Sequence, residues 1–193
     1  MNPIIARHLE EHFALANAMS EAAADVFPLA EDIWARLAAG GCLYAFGNGG
    51  SAAEAQHFVG ELIGRFKSDR RPLAAVTLGA DTSALTCIAN DFDYADVFAR
   101  QVSALAGAGD IAFGFTTSGS SPNVLAGLHA ARRNGALTVM FTGLRGAEAA
   151  AKQDHAFVSP SRSTARIQEM HQLAMHMVCD LIEDWSTQEQ SDV

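Results

Sequence analysis

A glycine-rich segment followed by a histidine and a glutamate is the part of the sequence best suited to chemistry. The segment reads Gly47-Asn48-Gly49-Gly50-Ser51; an apolar run precedes it and an alanine-rich run follows it, which predicts a strand, a tight loop and a helix with Ser51 as N-cap. The glycines leave no Cβ between a ligand and the N–H groups at the positive end of the helix, which favours a phosphate. His57 and Glu61 follow four residues apart on one helix face, an acid/base or metal-binding pair.

A second candidate site is a run of hydroxyl side chains that directly follows the most apolar stretch. Residues 110–115 are typical of a strand buried on both faces of a parallel sheet. The five hydroxyls come next, ahead of a helix that starts at Pro122, and they are Thr116, Thr117, Ser118, Ser120 and Ser121. Helix capping accounts for one or two of them. Because open α/β sheets bind ligands at this end of a strand, a phosphate-binding loop is favoured over plain capping.

The third candidate site lies on the last predicted helix, residues 163–185. Five polar side chains stand there among apolar ones, and they are Gln168, Glu169, His171, Gln172 and His176. A histidine in such a setting is more often a packing residue than a ligand. Residue types and spacing alone do not indicate whether His171 or His176 is the functional histidine.

Three of these segments together resemble the sugar isomerase (SIS) domain family, and within it the phosphoheptose isomerases. They are residues 47–53, 116–123 and 166–171, and the resemblance extends over nearly the whole chain. It implies an aldose–ketose isomerase that converts D-sedoheptulose 7-phosphate to D-glycero-D-manno-heptose 7-phosphate through an enediolate. It also implies a homotetramer that serves ADP-heptose and lipopolysaccharide core biosynthesis.

The resemblance assigns roles to individual residues. It implies Glu61 and His176 as the catalytic acid/base residues, and one Zn²⁺ per subunit held by His57, Glu61, Gln168 and His176. Two nitrogen and two oxygen ligands suit zinc. The implied substrate-binding residues are Asn48, Gly49, Gly50, Ser51, Glu61, Arg65, Asp91, Thr116, Thr117, Ser118, Ser121 and Gln168.

Several positions have other interpretations or depart from the family. Glu61 could form a plain i,i+4 ion pair with Arg65, and Asp91 could simply form a turn. Gln168 and His176 are eight residues apart, about 12 Å along a helix. Either Gln168 reaches back from a frayed first turn, or the site combines neighbouring subunits, which we favour. Some family members carry an acidic residue at the position of Ala165, so the resemblance leaves one contact to a substrate hydroxyl unassigned here.

Composition limits the class of protein. The chain has 193 residues, is 49% hydrophobic and carries a net charge of −9, which fits one well-cored domain and disfavours a general nucleic-acid binder. Neither loop is followed by Gly-Lys-Ser/Thr, so nucleotide hydrolysis is disfavoured. Three scattered cysteines and the lack of a long apolar segment predict a cytoplasmic protein without a membrane span.

The predicted elements alternate between strands and helices, which is typical of a doubly wound three-layer α/β fold with a mostly parallel sheet. We expect a single SIS domain with an N-terminal helical oligomerisation segment (1–40), a phosphosugar-binding core (41–186) and a frayed polar tail (187–193). The apolar stripe of the first helix includes Ile4, Leu9 and Phe13 and predicts a partner subunit.

Two non-enzymatic interpretations remain open. A relative of these isomerases binds the bacterial replication initiator as a tetramer, and other SIS modules sense phosphosugars, usually fused to a DNA-binding domain. The presence of both Glu61 and His176 favours an enzyme.

Overall fold

A five-stranded parallel sheet forms the centre of the computed structural model, which describes residues 1–191. Its strands are β1 (Leu43–Gly47), β2 (Ala75–Thr77), β3 (Ile111–Thr116), β4 (Leu137–Gly143) and β5 (His155–Ser159), in the order β2-β1-β3-β4-β5. Every pairing is parallel. All residues of β1, β3 and β4 are buried, which explains why their sequences are almost continuously apolar.

Eight α-helices cover the two faces of this sheet. They are α1 (Pro3–Ala22), α2 (Val26–Ala38), α3 (Gly50–Ile63), α4 (Thr82–Asp91), α5 (Val97–Leu105), α6 (Pro122–Arg133), α7 (Ala147–Ala150) and α8 (Thr164–Ser191). One hydrophobic core lies between the sheet and α1, α2, α3 and α8, and a second lies between the sheet and α4 to α7. Alternate strand residues enter opposite cores; for example, Ala45 faces the first and Phe46 the second. The predicted three-layer, doubly wound fold is confirmed.

The beginning of α3 differs from the sequence-based prediction. Its N-cap is Gly49, at φ 57°, and Ser51 is already helical and buried. Glycine adopts this positive φ without the cost that a Cβ imposes, so the helix begins at Gly50, one residue before Ser51. The prediction of Ser51 as N-cap was therefore wrong.

The end of α8 also differs, because the helix continues six residues beyond Trp185 instead of fraying there. The Trp185 ring packs edge-to-face on Phe27 at 5.7 Å between centroids, and Gln188 donates a hydrogen bond to the Asp184 carboxylate. No glycine or proline follows to end the helix. The last two residues of the predicted tail lie outside the described residues.

The first helix leaves its apolar stripe uncovered by the rest of the chain. Ile4, Ile5, Leu9 and Phe13 are between 42% and 63% exposed. A cluster of large apolar side chains in this state is typical of a protein–protein interface. Within residues 1–191, no helix combines the length and apolar character needed to cross a membrane.

Candidate active site

Two loops meet at the carboxyl ends of the adjacent strands β1 and β3, where the strand order reverses direction. This is the position at which open parallel sheets bind ligands. The side-chain amides of Asn48 and Asn123 join the loops: each Nδ2 donates to the other residue's Oδ1, at 2.9 and 2.8 Å. The Tyr94 hydroxyl donates to the same Asn48 oxygen at 3.0 Å. The pair fixes the starts of α3 and α6 beside each other.

The β1–α3 loop presents backbone N–H groups at a helix N-terminus. Among the described residues, no hydrogen-bond acceptor is found for the N–H groups of Gly49 and Gly50. The Ser51 and Ala52 N–H groups are bound to the carbonyls of Asn48 and Gly49. Unpaired N–H groups at the positive end of a helix can bind an anion without any nearby cation.

The β3–α6 loop contributes the hydroxyl groups. The Thr116 hydroxyl lies 3.1 Å from that of Ser121 and 3.5 Å from that of Ser118. Gly119 allows this turn, since it adopts φ 69° and a Cβ there would lie 2.1 Å from the Gly146 Cα. The hydroxyls therefore converge on one side of the loop instead of capping α6, whose N-cap residue Ser121 makes no capping hydrogen bond.

A second cluster consists of His57, Glu61 and His176. The His57 Nε2 lies 2.8 Å from a Glu61 carboxylate oxygen and 3.4 Å from the His176 Nε2, and one potential ligand atom from each residue falls within 4.8 Å of the others. Two imidazole nitrogens and one carboxylate oxygen that converge in this way fit a zinc site with one position left open. The structure thus places these three predicted site residues side by side.

The electrostatic setting of His176 suits a base or a ligand. Burial lowers the pKa of its imidazole, the neighbouring His57 and Lys67 lower it further, and Glu61 opposes them. The net decrease keeps the ring neutral near pH 7. A neutral imidazole can accept a proton or coordinate a cation.

Gln168 lies away from this cluster. Its Nε2 is 2.4 Å from the place that a Cβ on Gly50 would occupy, so its amide packs against the N-terminal end of α3. In this chain the residue does not reach back to His57, Glu61 and His176. The fourth metal ligand expected from the resemblance is therefore not supplied by Gln168 of the same chain.

The structure also shows that the two histidines of α8 have different surroundings. His171 is fully buried, with its ring 5.6 Å from that of Phe141 and its Nδ1 3.5 Å from a carboxylate oxygen of the buried Glu54. His176, by contrast, is partly exposed beside His57. Only His176 is placed to meet a substrate or a metal ion.

Arg65 and Asp91 were the other two predicted site residues. Arg65 follows the end of α3 and is exposed, and within residues 1–191 it makes no ion pair, so the simple Glu61–Arg65 pair is not formed. Asp91 is the exposed last residue of α4, where it accepts a hydrogen bond from Asn90 at 2.7 Å. It belongs to the helix, not to a turn.

The sequence patterns did not identify the residues that pack behind the cluster of His57, Glu61 and His176. The buried Glu183 carboxylate accepts hydrogen bonds from the backbone N–H groups of Phe66, Lys67 and Ser68 at 2.9, 2.7 and 2.6 Å. The Phe66 ring stacks on the His176 imidazole with 5.4 Å between centroids. No motif or spacing links residues that are more than 110 positions apart, so only the fold reveals this contact.

Comparison with known proteins places the chain in a family. The SIS domain family matches residues 9–143. A phosphoheptose isomerase of Paramagnetospirillum magneticum is 52% identical over 76% of this chain and 77% of its own length, and that of Trichlorobacter lovleyi is 44% identical over 95% and 94%. The chain belongs to the phosphoheptose isomerases of the SIS family.

Solved structures of phosphoheptose isomerases share this fold. The phosphoheptose isomerase GmhA of Neisseria gonorrhoeae superposes with a TM-score of 0.84 at 39% identity, covering 93% of this chain and 97% of its own. The phosphoheptose isomerase of Francisella tularensis gives the same score at 32% identity, covering 95% and 96%. The resemblance inferred from the three sequence segments is confirmed.

The bonds of Glu183 predict a specific sensitivity to acid. Burial alone would raise the pKa of this carboxyl, but the three N–H groups and Arg70 outweigh it and lower the pKa below the ordinary 4.5. Because the folded pKa is lowered, the stabilisation is complete above pH 4.5 and is lost as the pH falls below it. Glu183→Gln should lower the free energy of unfolding by about 1–3 kcal/mol at pH 7 and less in acid.

Chemical denaturation at several pH values and a fixed protein concentration measures this difference. Glu148→Gln is the matched control, since the Glu148 side chain is 91% exposed and, among the described residues, forms an ion pair only with Lys152. It should follow the parent protein at every pH. An acid response of Glu183→Gln equal to that of the parent would contradict the assignment.

Proposed function

We propose that the chain interconverts D-sedoheptulose 7-phosphate and D-glycero-D-manno-heptose 7-phosphate, the aldose–ketose reaction that its family name denotes. The observation that carries the proposal is the convergence of a carboxylate and a neutral imidazole, Glu61 and His176, beside His57. The initiator-binding and sensor alternatives are not favoured, because neither needs such a cluster.

The reaction moves one proton between adjacent carbons and another between their oxygens. Glu61 and His176 are the proposed acid/base residues for these transfers, since both lie within hydrogen-bond distance of His57. A Zn²⁺ ion held by His57, Glu61 and His176 would supply a Lewis acid for the sugar oxygens. We also propose that this metal ion is zinc and that each subunit binds one.

The substrate phosphate is proposed to bind at the two loops. Gly49 and Gly50 offer free N–H groups, and the hydroxyls of Thr116, Ser118 and Ser121 form a cluster at the neighbouring helix start. The remaining proposed substrate contacts are Asn48, Ser51, Arg65, Asp91, Thr117 and Gln168. Local dipoles rather than overall charge hold the anion, because the protein itself carries −9.

Distances along α3 favour an active site shared between subunits. Gly50 and Glu61 are separated by eleven residues, about 16 Å of helix rise. An extended seven-carbon sugar phosphate spans only about 10 Å from its phosphorus to its reacting carbons. These lengths favour a site in which the loops of one chain face the acid/base residues of another, with Gln168 on the side of the phosphate.

The exposed stripe on α1 supports this assembly. Large apolar side chains such as Phe13, 63% exposed, would be covered by a second copy of the chain. We propose the homotetramer expected from the family. The cytoplasm stays the predicted location, and the three cysteines are all free thiols.

The proposed role of Glu61 predicts the effect of a neutral replacement. Glu61→Gln keeps the size of the side chain but removes its ability to take a proton, so turnover of sedoheptulose 7-phosphate should fall by about 10²–10⁴-fold. The assembly should stay intact by size-exclusion chromatography. Glu148→Gln, on the exposed surface, should retain parental turnover. Normal turnover by Glu61→Gln would exclude its proton-transfer role.

Removal of metal provides an independent test. If His57, Glu61 and His176 bind zinc that takes part in the reaction, then dialysis against a chelator should abolish most turnover, and added Zn²⁺ should restore it. His57→Ala should bind zinc more weakly in equilibrium dialysis, whereas His129→Ala, on the exposed face of α6, should bind as the parent does. Full activity in protein shown to be metal-free would refute the requirement for metal.

A further inference from the structure

A buried carboxylate–guanidinium pair lies directly behind the proposed acid/base residues. The side chains of Glu183 and Arg70 are only 4% and 2% exposed, with 3.6 Å between a carboxylate oxygen and the Arg70 Nε. Burial of two charges costs desolvation energy that their attraction largely offsets, so stability alone is a weak reason for the pair. Both residues also form hydrogen bonds with backbone groups of α3 and of the loop that follows it, close to the proposed site.

Arg70 binds the end of α3. Its guanidinium donates to the carbonyl oxygen of Glu61 at 2.6 Å and to that of Leu62 at 2.9 Å. The last carbonyls of a helix have no partner within the helix, so an external donor determines how this turn is held. The same turn carries the Glu61 side chain.

Glu183 binds the loop that follows α3. Its three hydrogen bonds to the N–H groups of residues 66–68 fix the backbone on which Phe66 stands. The Phe66 and His176 rings are stacked, with an angle of 28° between their planes. The position of the His176 imidazole thus depends on a loop that the Glu183 carboxylate holds.

We propose that Glu183 and Arg70 are positioning residues for the isomerisation. The pair fixes the backbone under Glu61 on one side and the aromatic wall of His176 on the other, without touching the substrate. The inference rests on the proposed function, because it assigns the pair to the two acid/base residues of that site. Displacement of such residues by about 1 Å can cost up to about 10²-fold in rate.

Asp110 offers a matched control for this proposal. Its carboxylate accepts hydrogen bonds from the N–H groups of Cys42 and Gly107, each at 2.8 Å, just ahead of β1 and β3, and within residues 1–191 it makes no hydrogen bond to the segments that carry Glu61 or His176. Asp110→Asn and Glu183→Gln therefore remove the same kind of contact at different places. Both should lower the melting temperature, and only Glu183→Gln should lower kcat, by about 10-fold or more, with a smaller change in KM.

A double-mutant cycle tests whether Glu183 acts through Phe66. Phe66→Leu removes the ring and keeps an apolar side chain. If the two residues form one unit, the double variant should lose less than the product of the two single losses in kcat. A loss equal to that product would show that Glu183 does not act through Phe66 and would overturn the proposal.

The ring-proton chemical shifts of His176 provide a readout that needs no turnover. In metal-free protein with labelled histidine, the stacked Phe66 ring should shift them upfield, Glu183→Gln should abolish that shift, and Asp110→Asn should preserve it. If the parent fails to isomerise the substrate, the proposed function fails while these shifts still decide the positioning claim.

Two results would overturn the proposal: unchanged shifts and parental kcat in Glu183→Gln, or an equal loss of both in Asp110→Asn. If Glu183→Gln does not fold, Arg70→Lys takes its place. That variant keeps the positive charge, loses the fork that binds the two carbonyls, and should show the same lowered kcat.

Discussion

The parallel packing of α3 against α8 determines where the proposed site residues of these two helices lie. Gln168 lies against Gly50 at one end, His171 against Glu54 in the middle, and His176 against His57 at the other end. Gly50 allows the close approach of the amide because it has no side chain. Within each chain, this arrangement places the proposed anion-binding residues at one end of α3 and the proposed acid/base residues at the other.

That separation gives a reason why the proposed active site would need two copies of the chain. In the proposed arrangement, the loops of one chain bind the substrate phosphate and the acid/base cluster of another chain acts on the sugar, so a complete site would combine residues from two chains. The uncovered apolar stripe of α1 gives such an assembly a physical reason. The net negative charge leaves phosphate recognition to helix N-termini and hydroxyl groups. On this view, the packing of α3 against α8 underlies both the need for an oligomer and the placement of the proposed acid/base residues.

Local patterns predicted the parts of the site that are close in sequence. The glycine loop, the i,i+4 spacing of His57 and Glu61, and the buried run before Thr116 each follow from backbone geometry over a few residues. The contact between Gln168 and Gly50 could not be predicted, because it depends on how two helices distant in sequence are aligned. The same reason applies to Glu183, whose bonds to the loop after α3 are set by the tertiary fold. The wrong cap at Ser51 arose because Gly49 can turn the chain earlier.

Activity of mixed assemblies tests the shared site most directly. A Glu61→Gln protein and a protein with Ser118→Ala and Ser121→Ala would each be inactive, one in the acid/base cluster and the other in the phosphate loop. Unfolding and refolding them together would produce assemblies in which some sites combine an intact loop from one chain with an intact cluster from the other. The account predicts that turnover reappears in the mixture. A mixture that contains mixed assemblies and stays inactive would show that each site is built from a single chain.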